Sequence, residues 1–168
     1  MSKLMSMREA VDRFVPDGAS VLLGAGLEGL IPFAAGHEIM RRRRRDLTLM
    51  GPISDMLFDQ MIGSGCARRV VAAWVGNVSA GLGHCYRRAV EHQVPRSLEV
   101  HDHSNFTFAL ALQAGAQGVP YLPTRTALGT DLLHTNPGLR LIQSPYDGSP
   151  LVAVEAIASH DIARRCAW

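Results

Sequence analysis

Gly24-Ala25-Gly26-Leu27-Glu28-Gly29 spells G-x-G-x-x-G directly after a short apolar run, Ser20 to Leu23. Such a loop offers bare backbone amides close to a helix start, suited to an oxyanion or a ligand carbonyl. A dinucleotide site asks for more: its third glycine inside the opening helix and an acid at the tip of the second strand. Here Pro32 lies three residues past Gly29, and the second strand ends Leu49-Met50-Gly51 with no acid before Asp55, so a nicotinamide or flavin is not expected. A plain tight turn is the simpler alternative. The second constellation is His101-Asp102-His103-Ser104-Asn105-Phe106, between a strand and a helix. The two histidines and Asp102 are an incomplete metal set, because a zinc site needs further ligands that spacing does not place. Ser104 suits the N-cap of the next helix, and a helix start at a strand's carboxyl end is where open α/β sheets bind ligands. Third, Arg125 in Thr124-Arg125-Thr126 can clamp a carboxylate or phosphate bidentately, or pair on the surface with Asp131. No Ser-His-Asp or Cys-His pair can be assembled from spacing.

The elements that must position these residues follow from periodicity and punctuation. Ser6-Met7-Arg8-Glu9 has the form of a capping box, predicting a helix to about Val15 with Ala10, Val11, Phe14 and Val15 on one face. After the turn Pro16-Asp17-Gly18, Ser20 to Leu23 reads as a short, fully buried strand. Pro32 is expected as the first residue of a helix running to about Arg44. The arginine run Arg41 to Arg45 then reads as a solvated helix end, favourable against the dipole. Leu47 to Met50 is a strand stopped by Gly51-Pro52, Met56 to Ile62 a short helix, and Val70 to Val75 a strand. Gly76 to Gly83 is a glycine-rich loop before a helix over His84 to His92. A strand over Leu98 to Val100 leads to a helix over Asn105 to Gln117, apolar on most faces. Val119 to Leu122, Leu139 to Ile142 and Leu151 to Ile157 are further strands. Alternation of strand and helix, with continuous apolar strands, predicts an α/β, doubly wound, mostly parallel sheet with helices on both faces.

Composition agrees with one domain over residues 1–168. The 18.2 kDa chain is 47% apolar and 19% charged, the opposite of a disordered segment. A net charge of +2 gives little support for nucleic-acid binding. Three cysteines, Cys66, Cys85 and Cys166, have no short-spaced partners, which points to reduced thiols in a cytoplasm. The opening Met1 to Met7 lacks the apolar core of a signal peptide. Val21 to Ala35, interrupted by Glu28, glycines and Pro32, is too short to span a membrane.

Several of these segments together resemble the A-type subunit of the family I CoA-transferases, most of all the glutaconate CoA-transferase branch. They are Asp17-Gly18-Ala19-Ser20-Val21 leading into Gly24 to Gly29 and Ile31-Pro32, then Asp46-Leu47-Thr48-Leu49, then Ser104-Asn105-Phe106. Gly118 to Arg125, Leu128-Gly129-Thr130-Asp131 and Ser144-Pro145-Tyr146 complete the series, which spans about Ala10 to Ala163. The resemblance implies a CoA-transferase fold working with a B-type subunit that supplies the nucleophilic glutamate, so no catalytic residue is assigned here. Glu28, Glu99 and Glu155 match no motif for that role. The chain would supply the facing wall: the amides of Gly24, Gly26 and Gly29, the tip Ser104-Asn105-Phe106, and Arg125 as a further substrate or CoA contact. CoA thioesters and carboxylic acids are then the substrates, with no cofactor, metal, nucleic acid or membrane. A ring-opening hydrolase acting on a CoA thioester is the alternative on the same scaffold.

One departure is visible. The family's A-type subunits continue beyond Asp161-Ile162-Ala163, whereas this chain finishes Arg164-Arg165-Cys166-Ala167-Trp168. Read as a C-terminal truncation, this predicts that the strand Leu151 to Ile157 loses neighbours and exposes an unpaired edge. It also opens a third reading, that of a non-catalytic protein.

Overall fold

A computed structural model describes residues 4–24, 30–53, 55–77 and 81–157, apart from the side chains of Asp55, Asn77 and Leu82. The elements, in order, are α1 (Met7–Phe14), β1 (Ser20–Leu22), α2 (Phe33–Arg41), β2 (Leu47–Ile53), α3 (Asp55–Gly63), β3 (Ala67–Trp74), β4 (Gly76–Asn77) and β5 (Gly81–Leu82). There follow α4 (His84–His92), β6 (Glu99–Asp102), α5 (Asn105–Gln117), β7 (Tyr121–Thr124), α6 (Leu132–Thr135), β8 (Leu139–Gln143) and β9 (Pro150–Glu155).

Four strands form a parallel sheet in the order β1-β2-β3-β6. Side-chain alternation along its two central strands loads both faces. Leu47 and Leu49 of β2 and Val70 and Ala72 of β3 join Val11, Ile39, Leu57, Phe58, Met61 and Ala89, so α1 to α4 cover one face. Met50 and Val71, the intervening positions, meet Phe108 of α5 on the other. Helices on both faces confirm the α/β reading. The last three strands depart from the simple alternation: they form a separate antiparallel sheet, β7-β9-β8, whose Leu139, Val152 and Val154 pack on Ala111 of α5. Helix α5 therefore lies between the sheets, which is why it is apolar on most faces.

Local signals worked where the chemistry is local. The Ser6 hydroxyl accepts from the Glu9 amide at 3.2 Å, and the Glu9 carboxylate accepts from the Ser6 amide at 2.8 Å, closing the expected capping box. Other expectations are corrected. β1 is only partly buried because it is a sheet edge. Pro32 is the N-cap of α2 rather than its first residue, and α2 ends at Arg41. The arginines beyond it are not simply solvated: Arg42 makes a two-pronged contact with Asp12 at 2.8 Å each, and Arg44 adds a third at 2.8 Å, tying the end of α2 to α1. Those guanidinium bonds, Arg42 first, hold the Asp12 carboxyl below its ordinary range.

Gly51-Pro52 does not stop β2, which continues to Ile53 opposite Trp74 while Pro52 is passed over in the register. β9 is no exposed edge either. It is the middle strand of its sheet, bonded to β7 on one side and β8 on the other. Pro123, which cannot donate to a ladder, falls on the edge strand β7, where proline is tolerated. The strand expected at Val119 begins at Tyr121. Within the glycine-rich segment before α4, Gly76 and Asn77 pair with Leu82 and Gly81 as a small hairpin.

Candidate functional site

Because all four strands of the larger sheet are parallel, their carboxyl ends open on one side. At the β1 corner, Leu23 still donates to Met50 O at 3.0 Å, and Gly24 then turns with φ +78°, a left-handed value that glycine adopts without strain. Gly26, Gly29 and Glu28 lie outside the described residues.

The β6 corner holds the second group. His103 donates its amide to Ala72 O at 3.0 Å, which extends the pairing with β3 one step past β6. Ser104 is the N-cap of α5, as expected, and Thr107 completes a reciprocal box: Ser104 Oγ accepts from the Thr107 amide at 3.0 Å and Thr107 Oγ1 accepts from the Ser104 amide at 2.9 Å. The first intrahelical bond runs from Phe108 N to Ser104 O at 2.9 Å. The amides of Asn105 and Phe106 precede it, directed out of the helix end where its dipole is positive. Both residues are exposed, and the Phe106 ring is half-exposed at 52%.

Gly24 and Ser104 stand at opposite edges of the four-stranded sheet. Three strand spacings of about 4.8 Å separate them by roughly 14 Å. One small anion cannot touch both corners; an extended ligand can. The structure thus places these two groups on one side of the sheet without bringing them together. Arg125 belongs elsewhere. It follows β7 and is held by the turn between β8 and β9, with Nη2 3.3 Å from Ser149 Oγ and 3.7 Å from Asp147 Oδ2. Its ion-pair partner is therefore Asp147 and not Asp131. Bonds from Ser144 and Ser149 bring the Asp147 carboxyl down to about 2.

The histidines separate rather than converge. His101 Nε2 is 2.8 Å from Glu99, whose carboxylate also meets Arg69 at 2.9 Å. Those partners, Arg69 foremost, keep the Glu99 carboxyl below its usual range. His103 is buried, with Nδ1 3.1 Å from Thr107 Oγ1 and its ring edge-on to Phe108 at 5.8 Å. Burial first, then the charge of His101, pushes its pKa down to about 4, so the ring is neutral at pH 7. No group of three or more His, Cys, Asp or Glu side chains able to hold a metal exists among the described residues. Cys66 and Cys85 are free thiols, both pushed upward, first by burial, and Cys166 lies outside the described residues.

Two features that matter for this end of the sheet are missed by reading along the chain. Sequence alone groups His103 with metal ligands, although its spacing of four to Thr107 also fits a hydrogen-bonded pair across the start of a helix. Asn136, 2% exposed, donates to Asp102 O at 2.6 Å and accepts from the Gly138 amide at 2.9 Å, tying the end of β6 to the loop before β8. Asn136-Pro137-Gly138 is a turn signal that could have marked it.

Residues 4–163 match the Coenzyme A transferase family. The chain belongs to that family. It is 42% identical over 94% of its length to the A-type subunit of 3-oxoadipate CoA-transferase from Pseudomonas knackmussii, of which it covers 55%. It is 29% identical over 79% of its length to the A-type subunit of glutaconate CoA-transferase from Acidaminococcus fermentans, covering 41% of that protein. The chain thus spans about half the length of these curated relatives. The crystal structure of the Acidaminococcus fermentans glutaconate CoA-transferase superposes with a TM-score of 0.82 at 25% identity, over 92% of this chain and 53% of that one. A variant of the decarboxylase AibA/AibB superposes with 0.78 at 27% identity, over 90% and 57% of the two chains. The CoA-transferase fold expected from the sequence is borne out.

Proposed function

We propose that this chain is the A side of a CoA-transferase, moving CoA between an acyl-CoA and a carboxylic acid with a glutamate supplied by a B-type subunit. The observation that carries the reading is the 42% identity, over nearly the whole chain, to a protein named as the A-type component of such an enzyme. In the reaction, the partner's carboxylate attacks the thioester carbonyl and expels CoA thiolate, leaving a mixed anhydride. The thiolate then attacks the glutamyl carbonyl and releases the first acid; the acceptor acid repeats the sequence in reverse. Splitting one exchange in this way is covalent catalysis.

This chain's contribution is positional and electrostatic. The outward amides of Asn105 and Phe106, beside Ser104, face an oxyanion that develops at the carbonyl, while Gly24 and its loop, with Gly26 and Gly29, contact a more distant part of the thioester. The roughly 14 Å between the corners suits a ligand as long as an acyl-CoA. Losing one such donor typically costs about 100- to 1,000-fold in kcat. The acceptor is proposed to carry a second carboxylate, as glutaconate and 3-oxoadipate do. Arg125, bound to Ser149 and Asp147, is the secondary candidate for that contact. The site is assigned to the cytoplasm, where thiols such as Cys66 and Cys85 stay reduced. Among the described residues no helix is long and apolar enough to cross a membrane.

The test is transfer of CoA from an acyl-CoA to free glutaconate or 3-oxoadipate, with and without a B-type subunit. Turnover is expected only with both chains, and borohydride trapping of the glutamyl thioester should label the B-type partner. Robust turnover by this chain alone, or label on it, would overturn the division of labour. Release of a ring-opened free acid instead of a new thioester would favour the hydrolase alternative.

A further inference from the structure

Asn136 is an enclosed polar side chain to which the reaction sequence above gives no task, although it reaches the segment that leads into Ser104. It is 2% exposed, and both ends of its amide are used: Nδ2 donates to Asp102 O at 2.6 Å and Oδ1 accepts from the Gly138 amide at 2.9 Å. The amide cannot be turned over. Reversal would set Nδ2 against the Gly138 N–H and Oδ1 against the Asp102 carbonyl, donor on donor and acceptor on acceptor. The backbone of Asn136 is anchored as well, its N donating to Leu132 O at 3.0 Å and its O accepting from the Leu139 amide at 3.1 Å. Gly138 O in turn accepts from the Glu155 amide of β9 at 2.9 Å, so the side chain stands on the antiparallel sheet.

The Asp102 carbonyl and the His103 N–H belong to one peptide group, and in a trans peptide the two point in opposite directions. Here the N–H donates to Ala72 O of β3 at 3.0 Å, while the C=O is held from the other side by Asn136. β6 is the last strand of its sheet, so no further strand takes that carbonyl. Asn136 stands in for one. The peptide plane is thus fastened at both edges, to a different sheet on each. Turning it must break a hydrogen bond in a low-dielectric interior, where such bonds are strong. Ser104, the N-cap of α5, follows immediately, and the outward amides of Asn105 and Phe106 come next.

We propose that Asn136 is a positioning residue: by clamping the peptide between Asp102 and His103, it fixes the aim of Ser104 and of the first amides of α5. Their target is the anionic oxygen formed at the thioester carbonyl, so this role rests on the transferase reading. Donors that meet a charge present only in the transition state act on kcat, and a loosened clamp therefore lowers kcat while KM changes little.

Two measurements test it. Asn136→Asp keeps the shape and the acceptor for Gly138 but loses the donor to Asp102; Asn136→Ala removes both bonds and adds no charge. In deuterium exchange of the full chain, either variant should speed the His103 amide at least ~10-fold relative to the Val71 amide in the middle of β3. In the complex with a B-type partner, either should lower kcat at least ~10-fold with little change in KM. Leu139→Ala is the control: its side chain, 3% exposed, belongs to the core with Val152 and Val154, so the variant should lose stability yet keep both the exchange ratio and kcat. An unchanged exchange ratio in the Asn136 variants, or a kcat loss that Leu139→Ala reproduces at equal destabilisation, would mean that Asn136 serves only folding, and would overturn the proposal. A rise in KM at constant kcat would overturn it too. Absence of transfer by the unmutated complex would overturn the transferase reading; the exchange ratios, read on this chain alone, would still decide whether the clamp exists.

Discussion

The two sheets of this chain are made of similarly apolar strands yet buried in different ways. In the parallel sheet, β2 is buried from Leu47 to Gly51, because α1 to α4 cover one face and α5 the other. In the antiparallel sheet, β7 alternates exposed and half-buried residues, and Leu141 on β8 is 65% exposed. Both sheets lean on α5, through Phe108 on one side and Ala111 on the other. A central helix packed on two faces couples the stability of the halves, and its first turn is also the candidate site. Support and chemistry therefore meet at one segment.

The largest effect should come from the face of α5 that meets the parallel sheet. Phe108→Ala removes a ring that is 1% exposed between Met50 and Val71 and should cost about 3–5 kcal/mol in urea unfolding. Enlarging the other face with Ala111→Leu should cost less, about 1–3 kcal/mol, if the antiparallel sheet can yield; equal losses would show that both sheets are equally rigid.

His103 sharpens the same comparison through pH. Its pKa in the fold is about 4, below the ordinary 6.5, so the unfolded chain binds the extra proton first. Stability from this group is thus complete above pH 6.5 and falls as pH drops from 6.5 towards 4. His103→Gln should flatten that window, by up to about 3 kcal/mol, when denaturation midpoints at about pH 7 and pH 4.5 are compared. A variant as pH-sensitive as the parent would contradict the assignment.

Smaller effects test the helical layer over the parallel sheet. A Cβ on Gly36 would collide with the side chain of Leu57, which is fully buried and has nowhere to go. Gly36→Ala should therefore lower stability by about 1–3 kcal/mol despite its better helix propensity. Asp59 of α3 accepts from the Tyr86 amide at 2.8 Å and caps α4 from outside its own chain segment. Asp59→Ala should cost about 1 kcal/mol, read in thermal unfolding. Smallest of all, Arg125→Ala breaks an exposed ion pair and should change stability by less than about 1 kcal/mol. A large drop in transfer to a dicarboxylic acid would then locate Arg125 in the site.

Much of the fold was legible because its signals are local. The Ser6 and Ser104 caps, the span His84–His92 and the span Asn105–Gln117 appear in the structure as the residues predict. The misreadings were relational. Leu151 to Ile157 looks like any buried strand, and nothing in its composition tells that Tyr121–Thr124 and Leu139–Gln143 will flank it on both sides. At the site, Ser104-Asn105-Phe106 could be named from the sequence, whereas the bonds of Thr107 to Ser104 on one side and to His103 on the other depend on hydrogen-bond distances. Gly83 reads as one more flexible glycine, but a Cβ there would meet the carboxylate of Asp59 that caps the next helix.

By itself the sequence determined most of the longer helices and strands, though not the hairpin of β4 and β5 or the short α6, that the helices would lie on both faces of a parallel sheet, and which family the chain resembles. Capping, apolar periodicity and glycine placement act over a few residues and so are written along the chain. Tertiary structure alone decided that the last strands form their own antiparallel sheet, that Arg125 pairs with Asp147, and that His103 is a neutral buried neighbour of Thr107. Those outcomes depend on which distant groups share a low-dielectric interior, and neither dielectric nor distance is encoded in spacing.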